Sequence, residues 1–126
     1  MRDFYFFTSK PITIEDCFDA LKSEIKNVDY YDQNGIFIKG KHRSYIHFEN
    51  DRLTDFIFED DEDYEEFKNK IKVDNPYVTD FETYRSIDAK RVITVLMKLR
   101  PELYVFVDDD DFYGTAQEYL DTEFNY

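Results

Sequence analysis

Four consecutive aspartates, Asp108-Asp109-Asp110-Asp111, follow the apolar run Leu103–Val107 and are the first residues that could do chemistry. Carboxylates at the end of a strand can hold Mg²⁺ between the protein and substrate phosphates, and Asp108 and Asp110 would then serve a Mg-dependent phosphoryl or nucleotide enzyme. Such an enzyme also needs basic or backbone-amide groups around the phosphates, and the sequence places none nearby. Extended aspartates alternate faces, so the four cannot all ligate one ion. The segment also fails as a calcium loop, lacking Gly at its sixth position and Glu at its twelfth. A solvated anionic loop is the plainer reading. Other catalytic patterns are missing. Three glycines cannot build a phosphate loop beside their turn duties. No Ser sits in a nucleophile elbow, and Cys17 has no His at a recognisable spacing. His42 and His47 diverge if Ser44–Phe48 is a strand, since His47 then points with Tyr45 while His42 lies at a turn. No catalytic residue, metal ligand or cofactor is expected, and the protein reads as a non-enzyme.

The remaining signal is acid interleaved with aromatic residues. Glu59-Asp60-Asp61-Glu62-Asp63-Tyr64-Glu65-Glu66 is one run, Asp108–Asp111 with Phe112 and Tyr113 another, and Tyr119, Phe124 and Tyr126 are threaded through the C-terminal acids. Tyrosine offers large contact area at low entropic cost and is enriched in binding hot spots. Acid clusters steer a basic partner and exclude anionic competitors. The candidate partner contacts are therefore Asp60, Asp61, Glu62, Asp63, Asp108, Asp109, Asp110 and Asp111, with Tyr113 as an aromatic anchor. Tyr64 and Tyr119 fall at helical core spacing and are expected inside; Tyr113 and Tyr126 are expected at the surface.

The chain has 126 residues and a formal net charge of −13, from 29 Asp+Glu against 16 Lys+Arg. Residues 1–58 account for −2 of it and residues 59–126 for −11, with no base after Arg100. The only basic knot is Lys39-Gly40-Lys41-His42-Arg43. Phosphate backbones and anionic membranes are poor partners for such a surface. High charge can leave a chain disordered, but 13 Phe and 11 Tyr supply apolar surface for a core. The length suits one domain over residues 1–126. One cysteine allows no internal disulfide, which fits a reducing cytoplasm. No apolar run approaches a membrane span, and the N-terminus lacks the pattern of a secretory signal.

Placing these residues requires the elements. Asp3–Thr8, apolar on both faces, reads as a buried strand. Thr13 caps a helix whose inward stripe is Ile14, Cys17, Phe18, Leu21, Ile25 and Val28, so Cys17 is expected in the core rather than reactive. Asn34-Gly35 marks a hairpin between Tyr30-Tyr31 and Ile36–Ile38, with Asn-Gly supplying positive φ. Ser44–Phe48 and Arg52–Glu59 continue an antiparallel meander. A helix over Asp61–Ile71 carries Tyr64, Phe67 and Ile71 inward. Tyr77–Tyr84 is a strand, Ser86 caps a central helix over Ile87–Leu99, and Leu103–Val107 is an inner strand. Thr115-Ala116-Gln117-Glu118 is a capping box for a last short helix. The expected fold is α+β: a mainly antiparallel sheet with three to four helices packed against it.

Within segment 84–120, Tyr84-Arg85-Ser86 leads the central helix and Tyr104-Val105-Phe106-Val107 runs into Asp108-Asp109-Asp110. Gly114-Thr115 and Glu118-Tyr119-Leu120 follow. This segment resembles the C-terminal part of small acidic immunity proteins from bacterial polymorphic and contact-dependent toxin systems; the first 80 residues carry none of the likeness. The resemblance implies a cytoplasmic inhibitor that binds a cognate toxin domain, often a basic nuclease. Its acids would stand in for nucleic-acid phosphates or pair with the toxin's Lys and Arg. Besides the Mg-dependent enzyme, the composition leaves a nucleic-acid mimic or a plain structural subunit as alternatives.

Overall fold

The computed structural model describes residues 2–40, 43–48, 61–71, 76–107 and 112–124; within 61–71 the side chains described are Glu62, Glu65, Glu66, Phe67, Asn69 and Lys70. The elements run β1 (Arg2–Thr8), α1 (Ile14–Glu24), β2 (Val28–Asp32), β3 (Gly35–Ile38), β4 (Ser44–His47), α2 (Asp61–Ile71), β5 (Tyr77–Thr83), α3 (Ser86–Leu99), β6 (Tyr104–Val107), β7 (Phe112–Thr115) and α4 (Ala116–Leu120). The strands form one seven-stranded sheet in the order β2-β3-β4-β5-β1-β6-β7. Every pairing is antiparallel. The α+β class read from the sequence is what the chain adopts. The strand expected over Arg52–Glu59 lies outside the described residues.

Strand alternation sends successive side chains to opposite faces. Phe4 and Phe6 of β1, Ile36 of β3, Ile46 of β4, Phe81 of β5 and Val105 and Val107 of β6 share one face and are fully buried. Against them pack α1 through Cys17 and Leu21, α3 through Ala89, Val92, Ile93 and Leu96, and α4 through Ala116 and Tyr119. Phe4 sits at the centre, edge-on to Tyr119 at 5.5 Å and tilted against Phe81 at 5.7 Å. The opposite face holds a second, smaller core of Phe7, Phe67 and Phe106, with Tyr113 half-buried beside it. Phe67 is the described side chain by which α2 reaches that face, its ring 4.5 Å from Phe7.

Local chemistry explains the ends. Thr13 Oγ1 accepts from the Asp16 amide at 3.1 Å, the expected cap of α1. The capping box at α4 is complete: the Glu118 amide donates to Thr115 Oγ1, and the Thr115 amide donates to Glu118 Oε1 at 3.0 Å. That second bond, helped by the Lys70 ammonium, holds the Glu118 carboxyl below its ordinary value.

Two expectations are corrected, and one strand is added. The α3 cap is Arg85, which makes no side-chain capping bond; Ser86 is the first helical residue and fully buried. The hairpin exists, but its turn residues are Gln33 and Asn34. Asp32 Oδ1 accepts from the Asn34 amide at 2.8 Å, and Gly35 lies inside β3 without positive φ. Its need is spatial: a Cβ there would meet Asp32 Oδ1 at 3.2 Å. The short strand β7 was not foreseen at all, because four residues after an acidic run offer too little alternation to read.

Candidate functional site

On the sheet face that carries the second core, the registers align side chains into two rows. Asp29 of β2, Phe37 of β3, Tyr45 of β4, Glu82 of β5 and Asp3 of β1 are successive cross-strand partners. The adjacent row runs His47 of β4, Asp80 of β5, Tyr5 of β1, Phe106 of β6 and Tyr113 of β7. Three carboxylates meet where the rows adjoin: Asp3, Asp80 and Glu82 each offer an oxygen, and these lie within 4.8 Å of one another. His47 Nε2 stands 3.9 Å from Glu82 Oε1, an ion pair only when the imidazole is protonated. Beside them Tyr45 stacks on His47 and on Phe37 at ring distances of 6.2 and 6.5 Å, and Tyr31 stands edge-on to both Phe37 and Tyr45. Tyr31 is 60% exposed, Asp3 is exposed, and Phe37, Tyr45, His47, Asp80 and Glu82 are half-buried.

Like charges on neighbouring strands destabilise a sheet, so a group of three carboxylates raises the local affinity for any cation that approaches. A hard metal ion needs six or more oxygen ligands for Ca²⁺, or near-octahedral geometry for Mg²⁺. Three carboxylates on an extended sheet surface supply part of such a shell. An ammonium or guanidinium needs fewer oxygens, and the flanking rings suit the rest of a Lys or Arg side chain. Chemically, this surface attracts cations and lays aromatic area beside them.

The sequence candidates divide as follows. Glu62 is exposed on α2, and Asp61 and Asp63 belong to that helix, their side chains outside the described residues. Asp60, Asp108–Asp111 and Tyr126 lie outside the described residues, and Tyr64 belongs to α2 with its side chain outside them. Tyr119 is fully buried, as its spacing indicated. Tyr113, expected at the surface, is half-buried. Its hydroxyl donates to Glu66 Oε1 at 2.9 Å, its ring lies under Lys70 at 4.6 Å, and Lys70 Nζ donates to its carbonyl. It thereby joins α2 to β7 and continues the row that contains Asp80. Cys17 is fully buried, and that burial pushes its thiol up to about 12. His47 points with Tyr45, as the strand reading required.

The Asp3, Asp80 and Glu82 group was missed because sequence reading followed runs of acids. The available signal was subtler: Asp80 and Glu82 are two apart in a strand, flanking the core residue Phe81, which puts both on the face away from the main core. Compared with known proteins, the chain matches no family model, no curated protein and no solved structure.

Proposed function

We propose that the protein is a non-catalytic binding module of the immunity type, which neutralises a basic toxin domain in the cytoplasm. One observation carries this reading. The carboxylates of Asp3, Asp80 and Glu82 converge on a sheet face that also presents Tyr31, Phe37 and Tyr45. Acid and aromatic surface in one patch is the combination that steers a basic protein and then anchors it. Glu62, Glu65 and Glu66, exposed on α2, extend the negative field around the same side of the sheet, with Tyr113 tying that helix to β7. Nucleic acid and anionic membrane remain poor partners for a chain of net charge −13.

The test is co-expression with a basic toxin domain encoded beside the protein's own gene. The expected result is restored growth and a one-to-one complex whose association slows steeply as salt rises. The triple variant Asp3→Asn, Asp80→Asn, Glu82→Gln should fold and fail to rescue. Undiminished affinity in that variant, or neighbouring genes that encode no such domain, would overturn the reading.

A further inference from the structure

The strongest feature outside that face has the opposite charge. A cavity of about 470 Å³ opens between the end of α1, the end of β3, the start of β4 and the first turn of α3. That volume falls within the range of small-molecule sites. Lys26, Lys39, Arg85 and Arg91 line it. The Lys39 ammonium turns to the other face of the sheet, over the Phe37 ring at 5.8 Å, which leaves Lys26, Arg85 and Arg91 as the cations of the wall in a strongly acidic protein. Among the described residues none of these three has a carboxylate within 4.0 Å. Of the two acids in the wall, Glu24 is bonded to Lys98, and Asp88 is the other. Grouped cations repel one another, and an anion seated among them relieves that repulsion.

A second observation concerns donors. Ser44 lines the cavity and is 4% exposed, and its hydroxyl is 2.9 Å from that of the fully buried Thr83. Two hydroxyls carry two hydrogens, and their mutual bond uses one. When Thr83 is the donor of that pair, the Ser44 hydrogen is available to a second acceptor. The first turn of α3, which supplies Arg85 and Asp88 to the wall, also lacks a side-chain cap, so the positive end of a fourteen-residue helix adds to the field.

We propose that this cavity binds a small phosphate-bearing molecule, held by Lys26, Arg85 and Arg91 with Ser44 as a hydrogen-bond donor. Guanidinium forks match phosphate oxygens in pairs, and three cations exceed what a lone carboxylate requires. A polymeric anion is disfavoured, because any length of it beyond the cavity meets the acids that dominate the rest of the surface. The site goes beyond the capture of a basic partner and lies on other residues, so either can fail without the other.

Calorimetric titration with sodium pyrophosphate, inorganic phosphate, adenosine monophosphate and citrate, each in about 150 mM NaCl, tests it; at that salt, long-range attraction is largely screened. Saturable one-to-one binding of pyrophosphate is expected, tighter than citrate. The comparison of adenosine monophosphate with inorganic phosphate tells whether the phosphate alone or an organic phosphate is the ligand. Arg85→Gln and Arg91→Gln, both at exposed positions, should each weaken pyrophosphate about tenfold, the loss of one charge-assisted hydrogen bond. Asp88→Asn should tighten it, while Lys10→Gln, an equal charge change away from the cavity, should leave it unchanged. No saturation at millimolar pyrophosphate, equal weakening by Lys10→Gln, or citrate binding as tightly would overturn the proposal.

Discussion

Cys17 is the residue whose behaviour follows most directly from its place. It lies on the inward stripe of α1 against the main core, with no accessible surface, and desolvation raises its thiol from 9.0 to about 12. In the unfolded chain the same thiol ionises near its ordinary value. The sign follows: above about pH 9 the unfolded state loses this proton while the native state keeps it, so stability falls as pH rises between 9.0 and about 12. Replacement by Val removes that term. Denaturant melts at pH 8 and pH 11 should show wild type losing roughly 3 kcal/mol more than Cys17→Val over the interval. An identical loss in both would contradict the assignment. Cys17 was legible because helical spacing alone determines its face. Asp3, Asp80 and Glu82 were not, because strand registers bring residues far apart in the chain together, and no local pattern encodes a register.

Elements read well wherever a side chain closes its own backbone. Thr13 with Asp16, and Thr115 with Glu118, are contacts three residues apart, so sequence contains both partners. Arg85 and Ser86 show the limit: Ser86 has a capping residue's chemistry, yet tertiary packing draws it inside the helix and buries it completely. The face chosen by α2 was equally hidden. Its sequence gives an apolar stripe but not which side of the sheet receives it, and the answer depends on Phe7 and Phe106 being left uncovered by α1, α3 and α4. Phe67→Ala tests that dependence. Loss of a fully buried phenylalanine costs about 3–5 kcal/mol when the site cannot collapse. Hydrogen exchange should show amides of α2 losing protection while those of β1 and β5 retain it, since the main core lies on the other face. Uniform loss throughout the sheet would mean that the second core is no separate unit.

At the scale of the whole molecule, the charge is organised twice over. The net −13 is carried mainly beyond residue 58, yet strand pairing also gathers Asp3 from the N-terminal strand with Asp80 and Glu82, while three cations, Lys26, Arg85 and Arg91, collect at a cavity near α1 and α3. Composition alone revealed the excess but not this partition, which only the topology creates. Two salt effects should therefore be separable. Self-repulsion of a −13 surface destabilises the compact state, and its range shrinks from about 30 Å at 0.01 M salt to about 10 Å at 0.1 M. Raising NaCl across that interval should lift Tm by several degrees, since about 1 kcal/mol moves a domain of this size by roughly 4 °C. Chloride acts only as a screen. Pyrophosphate at matched ionic strength should add a further rise, because a ligand that binds only the native state stabilises it by mass action. That extra rise should vanish in Arg91→Gln while the NaCl response persists. A flat Tm in NaCl would remove surface self-repulsion as a factor in stability. An equal pyrophosphate rise in Arg91→Gln would locate the anion away from the cavity.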